Sequence, residues 1–154
     1  MNVLHQEMPL LARHAGIWRG TYTHIRPDRS VIDQHEFRIR VELPDEGDVV
    51  YRQHTHYWWP EGRSQDFVFG AYYADKRIWW NTDRIRGALW ALDDVTLYLT
   101  FAFGSDPGQY VCEMIQLSPD SVHRARTWHW FEDHKLARLT LVDEARETEV
   151  SPDA

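Results

Sequence analysis

Between residues 17 and 143 the chain repeats one pattern: a short run rich in Val, Ile, Thr, Tyr, Phe and Trp, alternating with polar residues and followed by a turn. Ten such runs can be marked, at 17–26, 31–43, 48–59, 65–74, 77–83, 87–92, 95–103, 109–117, 122–131 and 135–143. Period-two alternation of β-branched and aromatic residues is what strands buried on one face look like. The gaps hold turn formers: Pro27-Asp28, Pro44 to Gly47, Pro60 to Gly62, Asp75-Lys76, Asp93-Asp94, Ser105 to Gly108, Pro119-Asp120 and Asp133-His134. Links this short join neighbours antiparallel. An open sheet of ten twisted strands would leave two long unpaired edges. The expected class is therefore all-β, an antiparallel up-and-down barrel of about ten strands.

Ahead of the strands, Leu4, Met8, Leu11 and Ala15 fall at helical spacing, which predicts a short amphipathic helix over residues 3–15, interrupted or begun at Pro9 and stopped by Gly16. A length of 154 residues suits one domain, assigned to 1–145, with residues 146–154 expected to form a flexible acidic tail. Lys and Arg number 17 against 24 Asp and Glu, a net charge of -7, and this argues against a strong binder of nucleic acid or of an anionic membrane, either of which would want a basic face. No run approaches the ~20 apolar residues of a membrane span, and the first residues lack a basic-then-apolar leader, so a cytoplasmic location is the expectation. Cys112 is the single cysteine and permits no internal disulfide; a buried, inert thiol is expected of it.

Eight Trp, seven Tyr and six Phe, alongside nine His, are more than a small solid core needs. A lined cavity accommodates them. Pairing the first two strands around the Pro27 turn sets Tyr22 opposite His35, His24 opposite Asp33 and Gly20 opposite Phe37. Gln34, Glu36, Arg38, Arg40 and Glu42 alternate with them as a solvated face, so His35, Phe37, Ile39 and Val41 point inward. Carrying the register across the Pro44 turn sets Tyr57 opposite His35, Thr55 opposite Phe37 and Gln53 opposite Ile39. A row of Tyr22, His35 and Tyr57 results, continued by Phe67 and Arg84. An imidazole between two phenols can hold or relay a proton near neutral pH, and a carboxylate such as Asp33 can fix the tautomer of His24. The same groups also make sense as mutually satisfied polar side chains inside a wide barrel.

A second constellation comes from the Pro119 turn, which sets Glu113 opposite Arg126 and Val111 opposite Trp128. If Arg126, Trp128 and Trp130 face inward, an ion pair sits beside two indoles, and Arg126 can bind a carboxylate, phenolate or enolate. If they face outward, they form an aromatic stripe suited to a homodimer, and Glu113 with Arg126 is an ordinary cross-strand pair. His54 and His56, with Glu61 after four intervening residues, resemble the metal-binding strand of cupins, between Gly47 and Gly70. Two His at i and i+2 share a side of a strand. The glycine spacings do not fit that motif, however, and both His fall on the face opposite His35 and Tyr57. A solvated pair is the commoner outcome. No glycine-rich phosphate loop and no Gly-x-Ser-x-Gly elbow is present.

The stretch Leu11 to Tyr22, with Gly16, Trp18 and Gly20 arriving after a short helix, resembles the Gly-x-Trp opening of lipocalin-like (calycin) barrels. Glu113 to Ser118, Arg126 to Trp130 and the closing residues 141–144 resemble a bacterial and cyanobacterial lipocalin-like domain family of unknown function, and the likeness runs from about residue 9 to 145. The resemblance implies that Trp18 plugs the closed end under an arginine from a late strand, for which Arg138 or Arg126 is available. It also implies a hydrophobic ligand; several relatives are cofactor-independent isomerases, lyases or pigment-attachment factors. Haem-binding relatives place a ligand His on a late strand, where His129 is the counterpart, but the surrounding pattern does not match.

Together these readings make the expected partner a small hydrophobic or aromatic molecule bearing a polar group. Trp80, Trp90, Tyr57 and Phe67 supply apolar walls, while Tyr22, His35 and Arg84 orient the polar group; Phe37, Gln53, Glu113, Trp128 and Trp130 complete the lining. In a catalytic version, with no cofactor, His35 or His24 moves a proton, Tyr22 or Tyr57 polarises an oxygen, and Arg126 steadies negative charge. The competing readings are a metal-dependent cupin-like enzyme and a homodimeric interaction module.

Overall fold

The computed structural model describes residues 1–148. Two single-turn helices, α1 (Leu4–Glu7) and α2 (Pro9–Ala12), precede ten strands. These are β1 (Gly16–Ile25), β2 (Val31–Glu42), β3 (Tyr51–Trp58), β4 (Ser64–Ala74), β5 (Arg77–Asn81), β6 (Ile85–Ala91), β7 (Thr96–Phe103), β8 (Tyr110–Leu117), β9 (His123–Glu132) and β10 (Lys135–Arg146). Each strand pairs antiparallel with the next, and β1 pairs with β10, so the sheet closes on itself with no free edge. Among the described residues no helix is long and apolar enough to cross a membrane. Pro9 opens α2 and divides the expected single helix in two, because its ring tolerates a helix start but not an interior position.

Closure demands tight crossings near the first strand. A Cβ on Gly20 would lie 1.9 Å from the carbonyl oxygen of Asp143, so only glycine lets β1 and β10 approach here. Pairing of β1 with β2 follows the expected register, with Tyr22 opposite His35 and His24 opposite Asp33. Two later registers differ by two residues. Phe37, not His35, lies opposite Tyr57, and Trp128, not Arg126, lies opposite Glu113. A shift of two moves partners along the barrel yet leaves every side chain on its expected face.

The turns that follow β1, β3, β5, β7 and β9 lie at one end, the mouth. At the other end the two helices form the floor. Leu4, Leu11, Trp18, Phe37 and Ile39 are fully buried there. Asn2 Nδ2 donates to the carbonyls of Pro44 and Val50 at 2.6 and 2.7 Å, tying the N-terminal segment to the β2–β3 loop. Trp18 does plug this end, but its partners are Arg124 and Arg146, with guanidinium carbons 4.3 and 4.4 Å from the ring centroid. The arginines expected in that role lie elsewhere: Arg138 is near the mouth and Arg126 is higher in the cavity, because only residues near the floor end of β9 and β10 reach Trp18. The tail boundary moves as well. β10 runs to Arg146, which donates to backbone carbonyls of Arg13, Ala15 and Ser121, and Glu147 accepts from Arg38 at 2.7 Å. The rest of the expected tail, residues 149–154, lies outside the described residues.

Candidate functional site: the barrel cavity

Above the plugged floor the barrel encloses a cavity of about 870 Å³, within the range of small-molecule pockets. Its wall toward β4–β7 is apolar: Phe67, Phe69, Ile78, Trp80, Leu99 and Phe101 face it. Opposite stands the aromatic row. Tyr22 stacks on His35 at 5.3 Å between ring centroids, and Tyr57 contacts each of them at 5.3 Å. Trp128 meets Tyr22 edge-on at 5.8 Å, so the face of β9 that carries Arg126, Trp128 and Trp130 points inward.

The polar groups fall in two layers. In the lower layer Arg126 donates to Tyr22 Oη at 2.7 Å and to Glu113 Oε2 at 3.4 Å, and its Nε lies 3.0 Å from Glu144 Oε1. Glu144 is also bound by Arg124, whose Nη1 reaches His14 Nδ1 at 3.1 Å. Burial, and then the charge of Arg124, hold His14 down to about 2, so it is neutral. Burial pushes Glu113 up to about 7 against the opposing pull of Arg126, with the neighbouring Glu144 adding to the rise. Desolvation opposes the charge of Arg126, but Glu144 and the other acidic neighbours outweigh it and keep the guanidinium protonated.

In the upper layer His24, Asp33 and His35 gather at the mouth. Asp33 Oδ2 is 2.7 Å from His35 Nδ1, and Trp59 Nε1 donates to both oxygens of Asp33 at 3.0 and 3.1 Å. Burial raises the Asp33 carboxyl, but the hydrogen bonds from Trp59 and His35 prevail and hold it low. His24 Nδ1 meets Thr140 Oγ1 at 2.6 Å, and Thr140 also accepts from Trp130 Nε1 at 2.7 Å. Burial and then Arg138 lower His24 to about 4. Three arginines rim the opening, each over an aromatic ring: Arg84 on Phe67 at 3.9 Å, Arg138 on Trp130 at 3.9 Å and Arg63 on Trp59 at 4.0 Å.

The cavity therefore offers mainly donors. Burial raises the Tyr22 and Tyr57 phenols, so both stay protonated. The indole N–H groups of Trp80 and Trp128 are buried with no acceptor among the described residues. Tyr51 donates to Gln53 at 2.8 Å, and Gln53 in turn donates to Thr55 at 3.1 Å, so that file of β3 is internally satisfied.

Of the residues singled out in the sequence, Tyr22, His24, Asp33, His35, Tyr57 and Arg126 all border this space. So do Gln53, Phe67, Trp80, Arg84, Glu113, Trp128 and Trp130. Two do not. Phe37 points inward but is buried beneath Tyr22, at 4.6 Å, as part of the core. Trp90 is on the outer surface, covered by Arg77 at 4.1 Å and Tyr98 at 5.0 Å, because Leu89 takes the inward position on β6. Trp59, Arg63 and Arg138 also border the cavity and are not among the lining residues expected from the sequence, although Trp59 shares the parity of Tyr57.

The cupin-like set is corrected by the same parity. His54 pairs with Glu42 at 3.8 Å and His56 with Asp66 at 2.8 Å on the outer face, while Glu61 pairs with Arg63 at 3.3 Å in a turn, so the three share no centre. His129 is exposed on the outer face of β9. Cys112 also faces outward and is only half buried, with Sγ 3.8 Å from Thr100 Oγ1.

A closed ten-stranded antiparallel barrel with a tryptophan-plugged floor is a lipocalin-like, calycin-type barrel. No protein-family model matches the chain, and no curated protein matches it. Solved structures do. A protein of unknown function from the DUF3598 family of Nostoc punctiforme superposes with a TM-score of 0.67 at 21% identity over 89% of this chain. The chain spans 48% of that protein's length. The S-type phycobiliprotein lyase CPES from Guillardia theta gives 0.70 at 15% identity, covering 97% of this chain and 95% of the lyase. Rv2717c from M. tuberculosis gives 0.63 at 11% identity over 93% of this chain and 98% of its own. At these identities the shared property is the fold.

Proposed function

We propose that the barrel binds a small hydrophobic or aromatic molecule whose polar group is an oxygen acceptor, such as a carbonyl or carboxylate. One observation carries this: a cavity of about 870 Å³ with an apolar wall and two buried indole N–H groups, Trp80 on that wall and Trp128 on the aromatic side, that have no acceptor among the described residues. Apolar surface supplies affinity, and a few convergent polar groups fix orientation. Likeness to a phycobiliprotein lyase supports a flat, conjugated occupant of pigment-like size.

Titrating the protein with apolar phenols, aromatic acids, terpenoids and linear tetrapyrroles, followed by tryptophan fluorescence, tests the reading. Trp80, Trp128 and Trp130 border the cavity, so saturable quenching is expected for at least one class. Silence across the panel would remove the proposal.

A second reading adds catalysis without a cofactor, as an isomerase or lyase. The Asp33–His35 contact of 2.7 Å favours it, because a carboxylate that fixes one ring nitrogen leaves the other to accept or deliver a proton. Tyr57 or Tyr22 would polarise the substrate oxygen, and Arg126, which touches Tyr22, would steady the charge that develops. Once a ligand is found to turn over, His35→Ala should abolish turnover while leaving much of the binding. Equal turnover in the variant would exclude His35 as the proton carrier.

A further inference from the structure

His24 and Asp33 are direct cross-strand partners on β1 and β2, and His35 lies two residues beyond Asp33 on the same face. One donor atom from each residue lies within 4.8 Å of the other two, and the His24 and His35 rings are 5.4 Å apart. We propose that His24, Asp33 and His35 form a binding site for a divalent first-row transition-metal ion at the mouth of the barrel. The site is distinct from the outer-face His54 and His56 pair, and it stands or falls independently of the cavity's organic occupant.

The donor chemistry suits such an ion. Two imidazoles and one carboxylate on one side of a metal leave its remaining positions open, here toward the cavity. The supporting hydrogen bonds are already made. Thr140 engages His24 Nδ1 and is itself fully buried and held by Trp130, while Trp59 holds both oxygens of Asp33. Metal-ligating side chains are oriented by outer partners of this kind. Thr140 holds His24 through Nδ1, which leaves Nε2 of that ring without a partner among the described residues, and His35 Nδ1 would exchange its hydrogen bond to Asp33 for shared ligation of the ion.

Arg138, stacked on Trp130, opposes the added charge. An occupant with an anionic oxygen would bridge the ion and this guanidinium, which agrees with the donor-rich cavity. An ion here would also engage the imidazoles that the catalytic reading needs for proton transfer.

The test uses the full chain, stripped with a chelator and titrated with Co²⁺ alone. Calorimetry gives stoichiometry, and the d–d absorption band reports nitrogen and oxygen ligation. One Co²⁺ per chain is expected in the wild type. Thr140→Val, which removes the outer hydrogen bond to His24 and also the acceptor of Trp130 Nε1 but touches no ligand atom, should weaken binding about 10- to 100-fold. Asp33→Asn and His24→Gln should weaken it at least as much, with near-UV circular dichroism confirming the fold. Should His24→Gln not fold, Asp33→Asn decides, since that side chain is partly exposed. Absence of binding in the wild type overturns the proposal. So does binding that survives Asp33→Asn but is lost in a His54→Ala, His56→Ala double variant. The fluorescence titration with organic ligands, run on stripped protein, reports separately on the cavity.

Discussion

The floor and the mouth of this barrel use the same residue types to opposite ends. From the floor up into the lower layer of the cavity, Arg124 and Arg126 share Glu144, Arg126 also reaches Glu113 and Tyr22, and His14 is held by Arg124. At the mouth, Arg84 and Arg138 lie on aromatic rings with no carboxylate partner among the described residues, and His24 and His35 each keep one ring nitrogen unengaged. Arginine and histidine are therefore structural where burial forces every charge to be paired, and available where the cavity opens. The chemistry of the side chain does not separate the two roles; its depth in the barrel does.

The comparison breaks most visibly if an arginine is removed from each end. Arg126→Leu takes from buried Glu113 its ion-pair partner and leaves Glu144 with Arg124 alone, and removing one partner of a buried ion pair costs roughly 3–5 kcal/mol. Urea denaturation should show that loss. Arg84→Gln at the mouth should leave stability within about 0.5 kcal/mol of the wild type, as exposed substitutions do. Its effect should instead be on ligands: a carboxylate-bearing occupant is expected to bind about tenfold more weakly, the equivalent of one charge-assisted hydrogen bond. Equal stability losses in the two variants would show that depth does not divide the roles.

That division was only partly legible in the sequence. Alternation identified the strands and their inward residues, because a closed barrel makes each residue face either the interior or water. The pairings of Tyr22 with His35 and His24 with Asp33 followed, since the Pro27 turn is short and leaves little freedom. Tyr57 and Glu113 kept their faces but moved by one pair along the barrel. The link between β2 and β3 is longer than its Pro44 to Gly47 core suggests, and local turn chemistry does not reveal that length. Height along the barrel is the coordinate that alternation does not encode. For that reason alternation alone puts Phe37 in the cavity although it lies beneath it, and does not separate Arg138, at the mouth, from the arginines that reach Trp18.

Floor electrostatics can be sharpened by pH. His14, neutral when folded at about 2 and ordinary at 6.5 when unfolded, lets the unfolded chain bind the extra proton between those values. Its contribution to stability is therefore present above pH 6.5 and is lost as pH falls. Glu113 has the opposite sign. Its folded value of about 7 exceeds the ordinary 4.5, so its contribution is present below pH 4.5 and is lost as pH rises through 7. From pH 4.5 to 6.5 the two slopes oppose each other. Glu113→Gln removes one of them, and the urea midpoint of the variant should fall more steeply on acidification through that window than the midpoint of the wild type. Parallel profiles would mean that Glu113 is already ionised in the folded floor.

The smallest effect is expected outside both regions. Trp90 is as large and as aromatic as Trp80, and hydrophobicity alone would put both in the cavity. On β5 the inward position falls to Trp80; on β6 it falls to Leu89, which leaves Trp90 under Arg77 and Tyr98 on the outer surface. Trp90→Ala should therefore leave ligand affinity and metal affinity unchanged, while Trp80→Ala removes wall area and a buried indole donor and weakens the organic ligand. Trp90→Ala also removes one fluorophore that does not respond to the cavity, so the fractional quenching by a bound ligand should rise even as its dissociation constant stays fixed. A changed dissociation constant would show that the inner and outer faces of β6 are energetically linked, and the separation of mouth from surface would then have to be redrawn.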